Sequence, residues 1–418
     1  MKPVKVEFVN QDYNCSRRSS CSVILSSFYW LLLFACILSS ILLICLKILP
    51  QVLVGNAKNT ASTELLPSGK HEGDLSWKME RKSVLILGQG RSGSSFLGEI
   101  FNQHPEVMYL YEPLHAYKIF SMTGIFPSEN YGVNALQVLF DIFNCHFSSL
   151  QDYLTFISFP ELSSPHFRTS SKLFSSPPFC KHHMMPHMYD NDSPAKFREI
   201  CPQLHFKKVS AACMTKKSIV VKDLVHRMPF ENSSSLERLI ELQPTLHVVY
   251  LVRDPRAVIT SMKKMGWIGD GPEAKFEDVS SAAIHLCKQT LDMLWGIDRW
   301  SARFGTRVQL VRYEDLASDA VQKSEELFKN IGMSFPSEVR NWIKLNTNSN
   351  QKSELDPYRV DRRNATLSLH AWRFSISNDD LVEVQDKCLS VMSIMRYNTF
   401  EDVIYLRDLI LPSFRSFS

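Results

Sequence analysis

The 418-residue sequence has almost no charge of one sign to spare: 47 Lys and Arg stand against 43 Asp and Glu, a surplus of +4. That excludes a chain that holds nucleic acid through a general positive field, so an anionic partner is expected at a local site. Glycine and proline are also few, at 15 and 20 residues, which excludes a collagen-like or low-complexity chain. Internal repeats are missing as well. What is present is ordinary globular composition, 44% hydrophobic and 22% charged, in a chain long enough for a large core in one or two domains.

One segment lacks charge altogether. Between Arg18 and Lys47 there are 28 uncharged residues, and 23–46 is almost wholly apolar or small. About 20 apolar residues cross the hydrocarbon of a bilayer, whereas the apolar part of a signal peptide runs to roughly 7 to 15. The segment 22–46 therefore reads as an uncleaved signal anchor. Lys2, Lys5, Arg17 and Arg18 precede it and Lys58 is the next base after Lys47. The positive-inside rule then gives a cytoplasmic tail at 1–21 and leaves the rest on the far side.

Of the ten cysteines, Cys145, Cys180, Cys201, Cys213, Cys287 and Cys388 lie beyond the anchor. An even set in an oxidising compartment is expected to form disulfides, with 15 connectivities open. Asn232 and Asn364 sit in glycan-acceptor triplets, as does Asn191, which Pro194 follows. The polar run 47–82 reads as a stem.

From residue 83 the pattern turns α/β. Runs at 83–88, 107–111, 218–222, 246–252 and 308–312 read as buried strands, with helical periodicity at 94–102 and 282–304 between them. Strands alternating with helices predict a parallel sheet. The stretch 148–205, rich in Ser, Pro and His, reads as an irregular insertion.

The chemistry begins where the first strand ends. Gln89, Gly90, Arg91, Ser92, Gly93, Ser94 and Ser95 follow Gly88 in a strand-to-helix turn, a shape that offers backbone N–H groups and a helix N-terminus to an anion. The spacing is that of a P-loop, but Ser94 stands where an NTPase carries its Lys, which argues against ATP hydrolysis. Arg91 is the strong cation of the loop. Read alone, the turn is as well explained as a tight connection. A second strand delivers Arg253, Asp254, Pro255 and Arg256, and Ala257, Val258, Ile259, Thr260 and Ser261 begin a helix behind that proline. Arg253 and Ser261 can converge on one phosphate. An Asp-Pro helix start with a surface ion pair is the plainer reading of that motif alone.

Together these residues resemble the Golgi carbohydrate sulfotransferases that take sulfate from 3′-phosphoadenosine 5′-phosphosulfate and place it on the 6-hydroxyl of galactose, N-acetylgalactosamine or N-acetylglucosamine. Arg91 to Phe96 resembles that family's 5′-phosphosulfate loop, and Leu251 to Val258, continuing to Ser261, its 3′-phosphate site. Further likeness runs through Phe101 to Pro105, Tyr109 to Pro113, Ser176 to Cys180, Val311 to Leu316, Arg363 to Ser368 and Trp372-Arg373. The resemblance covers 83–397. It implies the sulfotransferase fold, a P-loop-like parallel sheet flanked by helices in a luminal domain at 83–418, behind an N-terminal transmembrane helix. It also implies a single-pass type II protein of the Golgi membrane, a glycan acceptor on a glycoprotein or proteoglycan, keratan- or chondroitin-type chains included, and no metal or nucleic acid. A homodimer is left open. Two departures stand out. Gln89-Gly90 replaces the Thr-Thr or Ser-Trp that usually precedes Arg91, and Val225 replaces an Arg three residues after Lys222, where His226 and Arg227 are the nearest bases.

Transfer of a sulfuryl group needs a base for the acceptor hydroxyl and cations at the phosphate leaving group. Glu112, at the end of the second strand and 21 residues after Arg91, is the expected base at the carboxyl edge where open α/β sheets bind ligands. The competing role for it is capping the turn at Pro113. Lys222 is expected either to assist at the leaving group or to serve the structure. Glu314 and Asp315 are expected to cap a helix from Ala317 and hold the sheet edge. Arg359, Arg362 and Arg363 lie in a polar run that either stays solvated or folds over the nucleotide, with Arg363 taken as a nucleotide contact. Cys180, His182, His183 and His187 are close in sequence but fit no usual zinc spacing. Two other classes compete, a P-loop kinase and a membrane-anchored glycan binder without turnover.

Overall fold

The computed structural model describes residues 81–125, 130–184, 193–229, 234–347 and 369–417. The segments expected to form an anchor at 22–46 and, up to residue 80, the stem at 47–82, with Arg359, Arg362, Arg363, His187, Asn191, Asn232 and Asn364, lie outside the described residues. No helix of the described residues is long and apolar enough to cross a membrane.

Five strands form one parallel sheet: β1 Lys82–Gly88, β2 Val107–Tyr111, β3 Ser218–Leu224, β4 Leu246–Val252 and β5 Val308–Arg312, in the order β2-β3-β1-β4-β5. Every residue of β3 and β4 is buried. Continuous Val, Ile and Leu runs are what a strand covered by helices on both faces requires. The two faces pack into separate cores, one gathering Leu85, Leu110, Val221 and Val248, the other Val84, Ile86, Val220 and Val249. Because β1 is central, the loop after it opens at the middle of the carboxyl edge, with β3 and β4 on either side.

Four helices matter for the site: α1 Ser94–Asn102, α2 Pro113–Met122, α3 Pro255–Lys264 and α4 Val279–Phe304. Each of the first three starts two to six residues beyond a strand end. Pro at the first position of α2 and α3 presets the helical φ where no N–H is needed. The sheet and helices expected from the sequence are present, with β1 beginning one residue earlier, β3 ending two later and α4 starting at Val279.

The insertion is more regular than expected. It contains helices Gln151–Ser158, His166–Thr169 and Pro194–Ile200. These are too short to announce themselves by periodicity. A fully buried Arg168 gathers them, donating to the carbonyls of Phe174, Phe179, Cys201 and Pro202. Six cysteines form three disulfides: Cys145–Cys213, Cys180–Cys201 and Cys287–Cys388. The last joins α4 to the helix Asn378–Ile394. Cys180 is thereby committed, and among the described residues no group of three His, Cys, Asp or Glu side chains is arranged to hold a metal.

Candidate active site

The loop from Gln89 to Gly93 is built by close packing. Gly93 has φ +93°, and a Cβ there would lie 2.5 Å from the ring of Tyr313. A Cβ on Gly88 would meet Ser92 Oγ at 2.7 Å, and one on Gly90 would meet the Trp267 ring at 3.1 Å. Arg91 sits at φ 69°, a left-handed conformation that costs a non-glycine residue about 1 to 3 kcal/mol. Gly93 then opens α1 and its carbonyl accepts the Phe96 and Leu97 N–H groups, which leaves the Ser94 and Ser95 N–H groups without an acceptor in the helix.

The second loop is locked to the first. Arg91 Nε donates to Ser261 Oγ at 3.1 Å, and Arg253 donates to the carbonyl of Arg91 at 3.1 Å. The Arg253 guanidinium lies 4.4 Å from the centre of the Tyr313 ring, the same ring that backs Gly93. Of residues 253–261, Arg253, Thr260 and Ser261 are half-buried and the other six are buried. Arg256 points away from the loops and is fully buried. It pairs with Asp254 at 2.7 Å and donates to Gln385 and to the carbonyl of Asn398. Its guanidinium is thus occupied by the interior, so its place in the fold is that of a clamp between this turn and the C-terminal segment. Ala257, Val258 and Ile259 are likewise core residues. A linear motif spaces residues correctly but does not say which way each side chain turns.

At the end of β2 lies Glu112, also left-handed at φ 49° and buried. It precedes α2 but makes no capping bond with its side chain, so the capping role does not hold. Its N–H donates to the carbonyl of Lys222 at 2.7 Å, and its carboxylate pairs with Lys222 through Oε1 and with Arg227 through Oε2 at 2.5 Å. Lys222 is 1% exposed and does not snorkel to solvent. Burial by itself would raise the Glu112 carboxyl, but Lys222 and Arg227 hold it well below the usual carboxylate range. The pair is therefore ionised, with the proton on Lys222. Asp223, fully buried beside it, is pushed up to about 6 by burial while Arg227 pulls it down. Asp223 also accepts the N–H of Leu114 at 2.8 Å, tying β3 to the first turn of α2.

Two participants, Tyr313 and Trp267, were not singled out in the sequence, and a third, Arg227, was named there only as a base near Val225. Arg227 stands on a 3-10 turn, Val225–Arg227, two residues past the position where an Arg was missed. Tyr313 forms the floor of both loops. Trp267, in the connection between α3 and α4, closes against Gly90, and Lys275 lies 3.6 Å over its ring. A cation and an aromatic each within reach of the loop were the available signals. Glu314 and Asp315 do not cap a helix at Ala317: the helix is Tyr313–Ser318, Asp315 pairs with Arg312 at 2.6 Å, and Glu314 accepts the Asp254 N–H at 3.0 Å and the Tyr397 hydroxyl at 2.8 Å. Both hold the sheet edge as expected, Glu314 by tying the end of β5 to the turn after β4 and Asp315 by pairing with Arg312.

A parallel α/β sheet with an anion-binding turn after its central strand and a basic second turn beside it defines a nucleotide- or phosphosulfate-handling fold. Residues 83–337 match the sulfotransferase family, and the chain belongs to that family. Carbohydrate sulfotransferase 4 of Mus musculus is 29% identical over 328 residues, covering 75% of this chain and 81% of that protein. Carbohydrate sulfotransferase 1 of Danio rerio is 27% identical over 361 residues, covering 80% and 82%. A solved sulfotransferase domain from the curacin biosynthetic pathway is similar at a TM-score of 0.41 with 16% identity, covering 74% of this chain and 97% of that one.

Family membership implies 3′-phosphoadenosine 5′-phosphosulfate as the sulfate donor. The residues present fit it. That donor carries anionic groups on two sides of one ribose, and this chain presents two adjoining loops with an Arg each, Arg91 and Arg253, joined through Ser261. Ser92 Oγ is buried in the first loop with no hydrogen-bond partner among the described residues, a donor left for a ligand or a bound water.

Proposed function

We propose that this protein transfers a sulfuryl group from 3′-phosphoadenosine 5′-phosphosulfate to the 6-hydroxyl of a galactose, N-acetylgalactosamine or N-acetylglucosamine residue in the glycans of glycoproteins or proteoglycans. The observation that carries the reading is Glu112, a strained, buried carboxylate held ionised at the same sheet edge as the Arg91 loop. The similarity to carbohydrate sulfotransferases 1 and 4 over three quarters or more of the chain supports a sugar acceptor. The anchor at 22–46 supports a single-pass type II protein of the Golgi membrane with this domain in the lumen.

The donor, when bound, supplies a sulfuryl group on a phosphate leaving group. Glu112 takes the proton of the acceptor hydroxyl as the new S–O bond forms, which leaves the carboxyl neutral. Arg91 and the first-turn N–H groups of α1 receive the charge that gathers on the phosphate as the old S–O bond breaks. Arg253 and Ser261 orient the other phosphate, and Arg363 is assigned to the same nucleotide from the family likeness. Lys222, paired with Glu112 Oε1, is assigned to assist at the leaving group.

The test is transfer of labelled sulfate from the donor by the full-length protein in detergent, offered galactose-, N-acetylgalactosamine- and N-acetylglucosamine-terminated acceptors. Label on the 6-position of one class is the expected result. Label on none of them, from protein that still binds the nucleotide product, overturns the enzyme reading in favour of a glycan-binding protein.

A further inference from the structure

Glu112 has two cations where one would neutralise it, and they come from different elements. Lys222 belongs to β3 and takes Oε1; Arg227 belongs to the turn after β3 and takes Oε2. One Arg227 nitrogen also reaches Asp223 Oδ1 at 3.3 Å, and the Tyr131 hydroxyl donates to the Arg227 carbonyl at 2.6 Å. Arg227 is thereby fixed at both ends, while Lys222 has a carboxylate at its tip and the Tyr111 ring 4.7 Å away.

We propose that Arg227 is a positioning residue for the transfer step, holding Oε2 of Glu112 so that Lys222 is free to leave Oε1 for the donor. This rests on the reading of Glu112 as the base. A buried carboxylate stripped of its only partner is strongly destabilised. With Arg227 in place, Lys222 can move without exposing a bare charge. The same movement makes Glu112 a better base, because a carboxylate held by two cations has little affinity for a proton. Arg227 thus does from the turn what a residue at position 225 would have to do from the strand end.

The charged and titratable groups facing Glu112 are Lys222 and Asp223 from β3, Arg227 from the turn, Tyr111 from β2 and His115 from α2, with Tyr109 of β2, His226 and Lys275 further out. Burial first, and Arg227 second, push His115 and His226 down to about 4, so neither sets an acid limb above pH 5. Asp223, at about 6, is the one competitor.

The experiment measures sulfate transfer by the full-length protein against pH for Arg227→Gln and Arg227→Lys, each also in an Asp223→Asn background. A base must be ionised, so in the donor complex, where Lys222 has left Oε1, losing Arg227 moves the acid limb of kcat to higher pH. The expected shift for Arg227→Gln is about one pH unit or more, with kcat down by roughly tenfold or more and the donor KM within about twofold. The shift should persist with Asp223→Asn, and Arg227→Lys should fall between wild type and Arg227→Gln. An unmoved limb with normal kcat in Arg227→Gln overturns the proposal. If that variant does not fold, Arg227→Lys behaving as wild type overturns it. Full activity in Glu112→Gln would instead remove the base reading itself, and so marks a separate failure.

Discussion

The guanidinium of Arg253 donates to the backbone carbonyl of Arg91 at 3.1 Å, so the turns after the first and fourth strands behave as one unit although 162 residues separate them. Arg256, three residues on, faces the opposite way into the core. Their replacements should therefore fail differently. Arg253→Ala is expected to weaken binding of the nucleotide product by tenfold or more, on the order of 1.4 kcal/mol, while the melting temperature stays near wild type. Arg256→Ala leaves Asp254 buried and uncompensated, at a cost of about 3 to 5 kcal/mol, and is expected to lower the melting temperature steeply. Calorimetric titration with the nucleotide product beside thermal denaturation separates the two. Equal effects of both on binding, at equal stability, would contradict the assignment.

Glu112→Gln keeps size and shape but cannot accept the hydroxyl proton. Transfer should fall by at least about a hundredfold while the nucleotide product still binds. Loss of both together would mean that Glu112 holds the loops rather than the acceptor.

Gly93→Ala meets two obstacles, a φ of +93° and a contact of 2.5 Å with the Tyr313 ring. A destabilisation of about 2 kcal/mol or more is expected, with loss of nucleotide binding. Adding Tyr313→Ala relieves the contact but not the dihedral. The double variant should therefore recover only part of the melting temperature, and full recovery would show that the dihedral carries no strain.

Glu314 is pushed up to about 7, first by burial and then by Asp254. A carboxyl whose folded value lies above its unfolded one binds more protons when folded, between roughly pH 4.5 and 7. Its contribution is present below about pH 4.5 and lost as the pH rises through 7. Melting temperatures from pH 5 to 8 should fall more steeply with pH for wild type than for Glu314→Gln, by the equivalent of about 1 to 3 kcal/mol. Parallel curves would place the titration elsewhere.

How far the fold could be read in advance follows from what each element signals. Parallel strands covered on both faces are uninterrupted apolar runs, so 107–111, 246–252 and 308–312 coincide with the observed strands. The turns that begin at Gly88 and Val252 are marked by Gly, Ser and Pro, which backbone geometry demands. Side-chain direction has no such mark. Arg253 and Arg256 look alike in a motif, yet one faces a ligand loop and the other is a fully buried clamp. The pairing of Arg227 with Glu112 was hidden for a related reason: the residue stands on a 3-10 turn two residues past 225, which brings it back to Glu112. The short helices of the insertion depend on Arg168 and a disulfide, both long-range, and no local pattern encodes either.

The bond between Cys287 and Cys388 has a further consequence, because it closes a covalent ring through the whole of 287–388. A single protease cut between those residues, including one in the stretch that carries Arg363, would leave the polypeptide as one molecule. On a non-reducing gel such a clipped protein would run as a single band and would keep both sides of the break together through purification. Only after treatment with a thiol would it part into two pieces, so an apparently intact preparation and a nicked one are told apart by the reductant alone.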